Sequence, residues 1–192
     1  MFQLSSQTAP LSKAQHYAEL AVQARSLLAD EHDLIANAAN FSALVFHSLP
    51  DLNWAGFYFH DGKELVVGPF QGKPACIRIA LGHGACGTAA QTRSTQLLRD
   101  VQEFPGHIAC DSASQSEVVV PLIAPGGTLI GVWDVDSPSV ARFDHEDARG
   151  MALLCAVFIE LAWARAAQAS GAAAHWRPAP PGMFWQLLPA TA

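Results

Sequence analysis

An antiparallel sheet with helices from both chain ends packed on one face, an α+β fold, is what the sequence predicts. Three observations predict it. Apolar residues recur at helical spacing near both ends of the chain. Between them lie short apolar runs separated by Asp-Gly and Pro-Gly-Gly turns, the signature of hairpins. The order helix, helix, hairpin strands, helix lacks the strand–helix alternation that builds a parallel sheet.

The elements follow in order. From Leu11 to Leu28, Leu11, Ala14, Ala18, Ala21, Ala24 and Leu28 fall at helical spacing. Asp33 to Leu49 repeats the pattern with Leu34, Ala38, Phe41, Leu44, Val45 and Leu49, and Pro50 stops it. Strands are predicted at Trp54–His60 and Glu64–Gly68, joined through Asp61-Gly62, and again over Cys76–Leu81. Gly82-His83-Gly84 breaks that strand, Ala85–Thr92 reads as a short helix and Thr95–Leu98 as an edge strand. Arg99–Ser116 is polar, contains Pro105-Gly106 and reads as a long loop; loops of such length in compact domains usually carry function. Val118–Ile123 and Leu129–Val135 form a second hairpin. A last helix runs from about Asp144 to Ala167, with carboxylates in its first turn. The division expected is one domain over residues 1–167 and an Ala/Pro-rich tail over 168–192 that contains Trp176 and Trp185.

With 51% hydrophobic and 15% charged residues, the 192-residue chain has ample material for a core. A net charge of −6 gives no electrostatic reason to expect nucleic acid or an anionic membrane surface as partner. The first residues lack a basic segment followed by an apolar run, and Glu160 and Arg165 interrupt the longest apolar helix. The expectation is a cytoplasmic protein, where thiols are kept reduced. There, four cysteines (Cys76, Cys86, Cys110, Cys155) point to metal or redox chemistry before a structural disulfide.

Cys110 sits in Gly106-His107-Ile108-Ala109-Cys110-Asp111-Ser112, inside the long polar loop. A cysteine is most often a small buried hydrophobe, and Cys155, within the apolar stretch of the last helix, fits that description. The loop setting argues for a reactive role at Cys110, with Cys76 and Cys86 as candidate partners. His83/Cys86 and His107/Cys110 together offer four ligands of the type zinc takes. Against a closed zinc site, Gly84–Thr88 should already be turning into a helix and Cys76 would be left idle. Gly82-x-Gly84-x-x-Gly87 matches the dinucleotide fingerprint, but its flanks build no parallel strand–helix–strand unit. These glycines suit a tight turn that exposes backbone N–H groups at a helix start, a place for a carboxylate.

Strand periodicity of two places Asp134 and Asp136 on one face, with Trp133 and Val135 on the other. Two close carboxylates repel, which favours retention of a proton by one of them. Glu117, at the edge of a neighbouring strand, can join them. Trp54, Gly56 and Tyr58 share a face in the same way and offer either core or one wall of an apolar pocket.

The runs Asn53-Trp54-Ala55-Gly56-Phe57-Tyr58, Gly68-Pro69-Phe70-Gln71-Gly72-Lys73, Gly84-Ala85-Cys86-Gly87-Thr88-Ala89, Gly106-His107-Ile108-Ala109-Cys110-Asp111 and Asp134-Val135-Asp136-Ser137, in this order over about residues 13 to 165, resemble the free methionine-(R)-sulfoxide reductases. Those are single-domain GAF proteins. The resemblance implies a GAF-like sheet and reduction of free L-methionine (R)-sulfoxide to methionine, with thioredoxin as the recycling partner. It implies Cys110, Cys76 and Cys86 as the cysteine set, Glu117, Asp134 and Asp136 as the pocket acids, and Trp54 and Tyr58 as the aromatic wall. With the long terminal helices it implies a homodimer. No metal and no cofactor are called for. Trp133, where the family has an aliphatic residue, His83 and the tail are departures; none touches a proposed catalytic group.

The chemistry agrees with those residues. A sulfoxide sulfur is a weak electrophile until its oxygen is protonated; a thiolate then attacks sulfur, methionine leaves and the cysteine becomes a sulfenic acid. On this reading Cys110 attacks, Glu117 and the Asp134/Asp136 pair supply the proton and hold the substrate ammonium, and Cys76 resolves, with Cys86 as alternate. Trp54 packs on the methylthio end. Preference for the R epimer comes from the resemblance alone. The rival from another class is a GAF sensor that binds a small molecule without chemistry.

Overall fold

The computed structural model describes residues 11–104, 106 and 112–164. Helix α1, Lys13–Leu28, starts with a reciprocal cap: the Ser12 hydroxyl accepts from the Gln15 N–H and the Gln15 side chain accepts from the Ser12 N–H. Helix α2, Leu34–Ser48, is capped by Asp33, which accepts from the Ala36 N–H at 2.7 Å. Strands β1 (Trp54–His60) and β2 (Leu65–Gly72) form the first hairpin, and β3 is only Arg78–Ile79. Helix α3 (Gly84–Thr92), strand β4 (Gln96–Leu98), the hairpin β5 (Ser116–Ile123) and β6 (Leu129–Ser137), and helix α4 (His145–Phe158) complete the described chain. A wide turn of π-helical hydrogen bonding, Ile159–Trp163, extends α4.

All strand pairs are antiparallel and the sheet order is β3-β2-β1-β6-β5-β4. The two chemically distinct faces follow from residue alternation. Ala55, Phe57 and Phe59 of β1, Trp133 and Val135 of β6, and Val118, Val120 and Leu122 of β5 join α1, α2 and α4 in the larger core. Its centre is aromatic: Phe57 lies 4.6 Å from Trp133 and 4.4 Å from Phe158, and Phe41 meets Trp133 edge-on at 4.9 Å. The opposite face carries Trp54, Tyr58, Val119 and Val132 beneath α3. The predicted α+β architecture with terminal helices on one face is therefore the architecture observed.

Helix α4 is fixed to α1 by one buried carboxylate. Asp147 accepts from the Tyr17 hydroxyl at 2.9 Å, Lys13 Nζ at 2.7 Å and Arg142 at 3.3 Å, and also from the Asp144 N–H. Gly150 leaves room for the Tyr17 ring, which a Cβ there would strike.

Several boundaries differ from expectation: β5 begins at Ser116 rather than Val118, and β6 runs on to Ser137 rather than ending at Val135. Strand β2 runs past Gly68 to Gly72, because a register shift opposite Gly56–Tyr58 accommodates Pro69, which has no N–H to give a ladder. Strand β3 shrinks from Cys76–Leu81 to two residues, since it is an edge that pairs only with Leu65 and Val66. The polar stretch from Arg99 holds a short 3₁₀ turn, Val101–Glu103, capped by Asp100. The expected helix end at Ala167 and the tail at 168–192 lie outside the described residues. No helix among the described residues is long and apolar enough to cross a membrane.

The close contact of β1 with β6 depends on Gly131. A Cβ at this position would collide with the Tyr58 carbonyl oxygen and sit 2.8 Å from Phe59 Cα. Because both obstacles are backbone, Gly131→Ala is expected to lower unfolding stability by about 2–3 kcal/mol. Urea denaturation of the variant beside the parent chain checks this.

Candidate active site

Cross-strand register brings the predicted residues together. On the face away from the terminal helices, Trp54 of β1 lies opposite Asp136 of β6, which lies opposite Glu117 of β5. In the next row Gly56 lies opposite Asp134, and Asp134 opposite Val119. Glu117 and Asp134 are thus diagonal neighbours on one face, within side-chain reach.

Trp54 is held flat against the sheet. Its indole stacks between Tyr58 (5.7 Å, 25°) and Phe70 (5.2 Å, 17°), and Nε1 donates to the Lys73 carbonyl at 3.2 Å. Two glycines make the space: a Cβ on Gly56 would reach 2.8 Å from the Trp54 ring, and one on Gly72 would come to 2.7 Å. Phe70 was not anticipated as part of this wall. It is placed there by the register shift in β2, which sets Phe70 directly opposite Gly56.

The glycine-rich turn has the structural role expected of it. Gly82 (φ +80°) and Gly84 (φ +60°) take left-handed conformations, and Gly87 lets α3 approach so closely that a Cβ would strike the Ala80 carbonyl. Helix α3 then lays Cys86, in its first turn, over the sheet. The Cys86 sulfur and one carboxylate oxygen each from Glu117 and Asp134 all lie within 4.8 Å of one another.

Burial governs the electrostatics of this trio. Desolvation, with the charges of Asp134 and Asp136 adding to it, pushes the Glu117 carboxyl well above the ordinary carboxylate range. Asp134 rises to about 6, because burial outweighs the hydrogen bonds it accepts from Cys86 and Glu117. Desolvation and the neighbouring Asp134 raise the Cys86 thiol well above its usual value and act on the Tyr58 hydroxyl in the same direction. The surroundings of the trio thus favour the protonated forms of Glu117 and Cys86 over their charged forms. Asp134 Oδ1 is buried with no hydrogen-bond partner among the described residues.

The remaining predicted residues divide. Asp136 is half-buried beside Trp54. Cys76 is half-buried against the same apolar cluster and is disulfide-bonded. Cys86 and Cys155 carry free, buried thiols, and Cys155 belongs to the helical core, as its apolar context predicted. Cys110 and His107 lie outside the described residues. The segments flanking their loop are anchored at the acidic end of the sheet: Asn53 donates to the Ser114 hydroxyl at 3.0 Å, and the Gln115 N–H to the Ser137 carbonyl at 2.8 Å. His83 is exposed, and its Nδ1 lies 3.2 Å from the Leu81 carbonyl.

The GAF domain family matches residues 30–160 of this chain. The chain belongs to this family and, within it, to the free methionine-R-sulfoxide reductases. It is 47% identical over 146 residues to the Escherichia coli free methionine-R-sulfoxide reductase, covering 76% of this chain and 88% of that protein. The Neisseria meningitidis free methionine-R-sulfoxide reductase, solved in complex with its substrate, superposes with TM-score 0.81 at 40% identity over 88% of this chain and 99% of that one. A Burkholderia vietnamiensis chain assigned as a GAF sensor is 74% identical with TM-score 0.80, over 81% of this chain and 99% of that one.

Proposed function

We propose that this protein reduces free methionine (R)-sulfoxide to methionine, with Cys110 as nucleophile and Cys76 as resolving thiol. The observation that carries the reading is the buried Glu117–Asp134 pair beside the Trp54 wall: one neutral acid, one orphaned acceptor and one apolar surface, the three things this substrate requires. The methylthio group packs on Trp54, with Tyr58 and Phe70 holding the indole in place. The ammonium sits against Asp134 and Asp136, and the first N–H groups of α3, at Gly84–Cys86, take the carboxylate.

Glu117 delivers its proton to the sulfoxide oxygen as the Cys110 thiolate attacks sulfur. The oxygen passes to Cys110 as a sulfenic acid, sulfur leaves as the thioether of methionine, and the substrate has gained two electrons. The Cys76 thiol then condenses with the sulfenic acid, forming a disulfide and water. Cys76 is already the disulfide-bonded cysteine, while Cys86 and Cys155 keep their thiols, which supports pairing Cys76 with Cys110. Cys86, the other candidate partner, serves better as a hydrogen-bond donor to Asp134, since its neighbours hold it protonated. A thioredoxin dithiol restores the enzyme. Activity resides in residues 1–167, with 168–192 a tail, and the working form is a cytoplasmic homodimer that needs no cofactor.

Recognition of the amino acid's own charges makes the substrate class testable. Free methionine sulfoxide is expected to be turned over with dithiothreitol or thioredoxin as reductant, and sulfoxide within a peptide to be left untouched. Efficient repair of a peptide-bound sulfoxide contradicts the reading. The sensor reading draws on the Burkholderia vietnamiensis chain; it requires binding of a small molecule with no change in thiol content.

A further inference from the structure

We propose that Cys86, Glu117 and Asp134 also form a site for one zinc ion, whose binding shuts the pocket. The site differs from the two His-Cys pairs that the sequence suggested: His83 is exposed and lies by the Leu81 carbonyl, whereas Cys86 is buried against the carboxylates.

The geometry is close to what zinc needs. With Zn–S near 2.3 Å and Zn–O near 2.1 Å, tetrahedral donors stand about 3.6 Å apart. The three donor atoms here already lie within 4.8 Å of one another, so side-chain adjustments of about 1 Å close the set. All three sit on fixed elements, Cys86 on α3 and the carboxylates on the adjacent strands β5 and β6. An independent observation also points to a cation: Asp134 is only 6% exposed, yet its Oδ1 has no hydrogen-bond partner among the described residues. A buried, unpaired carboxylate oxygen is costly unless a cation or donor meets it.

Donor chemistry selects the ion. One sulfur and two carboxylate oxygens suit a borderline cation such as zinc, with a fourth position left for water. Magnesium and calcium are hard cations that take oxygen ligands, and the Cys86 sulfur is a poor ligand for either. Ion binding itself does not depend on the proposed reductase activity. The inhibition does, because the ion would occupy the place assigned to the substrate ammonium and remove the proton donor from Glu117.

The test uses the full, untagged chain in its oxidised form, where Cys76 is in a disulfide and cannot compete. Zinc is titrated against a chromophoric chelator. One zinc per chain is expected, unaffected by millimolar magnesium, and weakened about tenfold or more in Cys86→Ser and in Asp134→Asn but unchanged in Cys155→Ala. Cadmium gives a second readout: a sulfur-to-metal charge-transfer band that persists in Cys155→Ala and disappears in Cys86→Ser. If Cys86→Ser fails to fold by circular dichroism, Asp134→Asn and the cadmium band of the parent chain decide. Absence of binding, or binding equal in parent and variants, overturns the proposal. Reductase activity in metal-free buffer is measured separately, so loss of either claim leaves the other standing.

Discussion

Cys110→Ser is expected to release no methionine from free methionine sulfoxide, whereas Cys76→Ser releases about one per chain and then stalls. The two outcomes separate attack from resolution. Without the Cys110 sulfur no bond to the substrate sulfur can form, and no other described thiol can replace it. Cys86 is buried against two carboxylates that hold it protonated, and Cys155 lies in the helical core. Without Cys76 the first attack proceeds, but the sulfenic acid has no resolving partner. Methionine counted by chromatography, in a single-turnover experiment without reductant and again with it, checks both. Full multiple turnover by Cys110→Ser would remove the nucleophile assignment.

Glu117→Gln is expected to lower kcat by about 10²–10⁴-fold, the usual contribution of a positioned general acid. The substitution is informative because it alters so little else. Glutamine matches glutamate in shape, and its amide can still donate to Asp134, so the cross-strand pairing of β5 with β6 keeps its geometry. What is lost is a transferable proton, whose retention on Glu117 burial favours. A fall confined to kcat, with KM little changed, identifies a proton donor. A rise in KM with kcat unchanged would instead mark Glu117 as a binding group alone.

The parts of this site that were legible in the sequence are those that depend on one strand at a time. Period two put Asp134 with Asp136 and Trp54 with Gly56 and Tyr58, and the register then set these faces side by side. The three glycines of the turn before α3 were readable as conformational requirements, and two take positive φ while the third admits a close contact. What stayed hidden depends on packing between elements. Nothing in the spacing of Cys76, Cys86 and Cys110 says that α3 swings Cys86 over Glu117 and Asp134, or that Cys76 stays half-exposed near an edge. Strand β2 continues past the predicted end at Gly68 through a bulge opposite Gly56–Tyr58, and such a shift of register is not written in the spacing of one strand. The orphaned oxygen of Asp134 was equally invisible, since it depends on what fails to reach it in three dimensions.

Reduced protein mixed with free methionine (R)-sulfoxide, with thiols counted before and after, tests the central claim most directly. Two thiols lost per chain, matched by one methionine formed, is the predicted result. Unchanged thiols in the presence of bound ligand would contradict it and return the chain to the sensors of its fold.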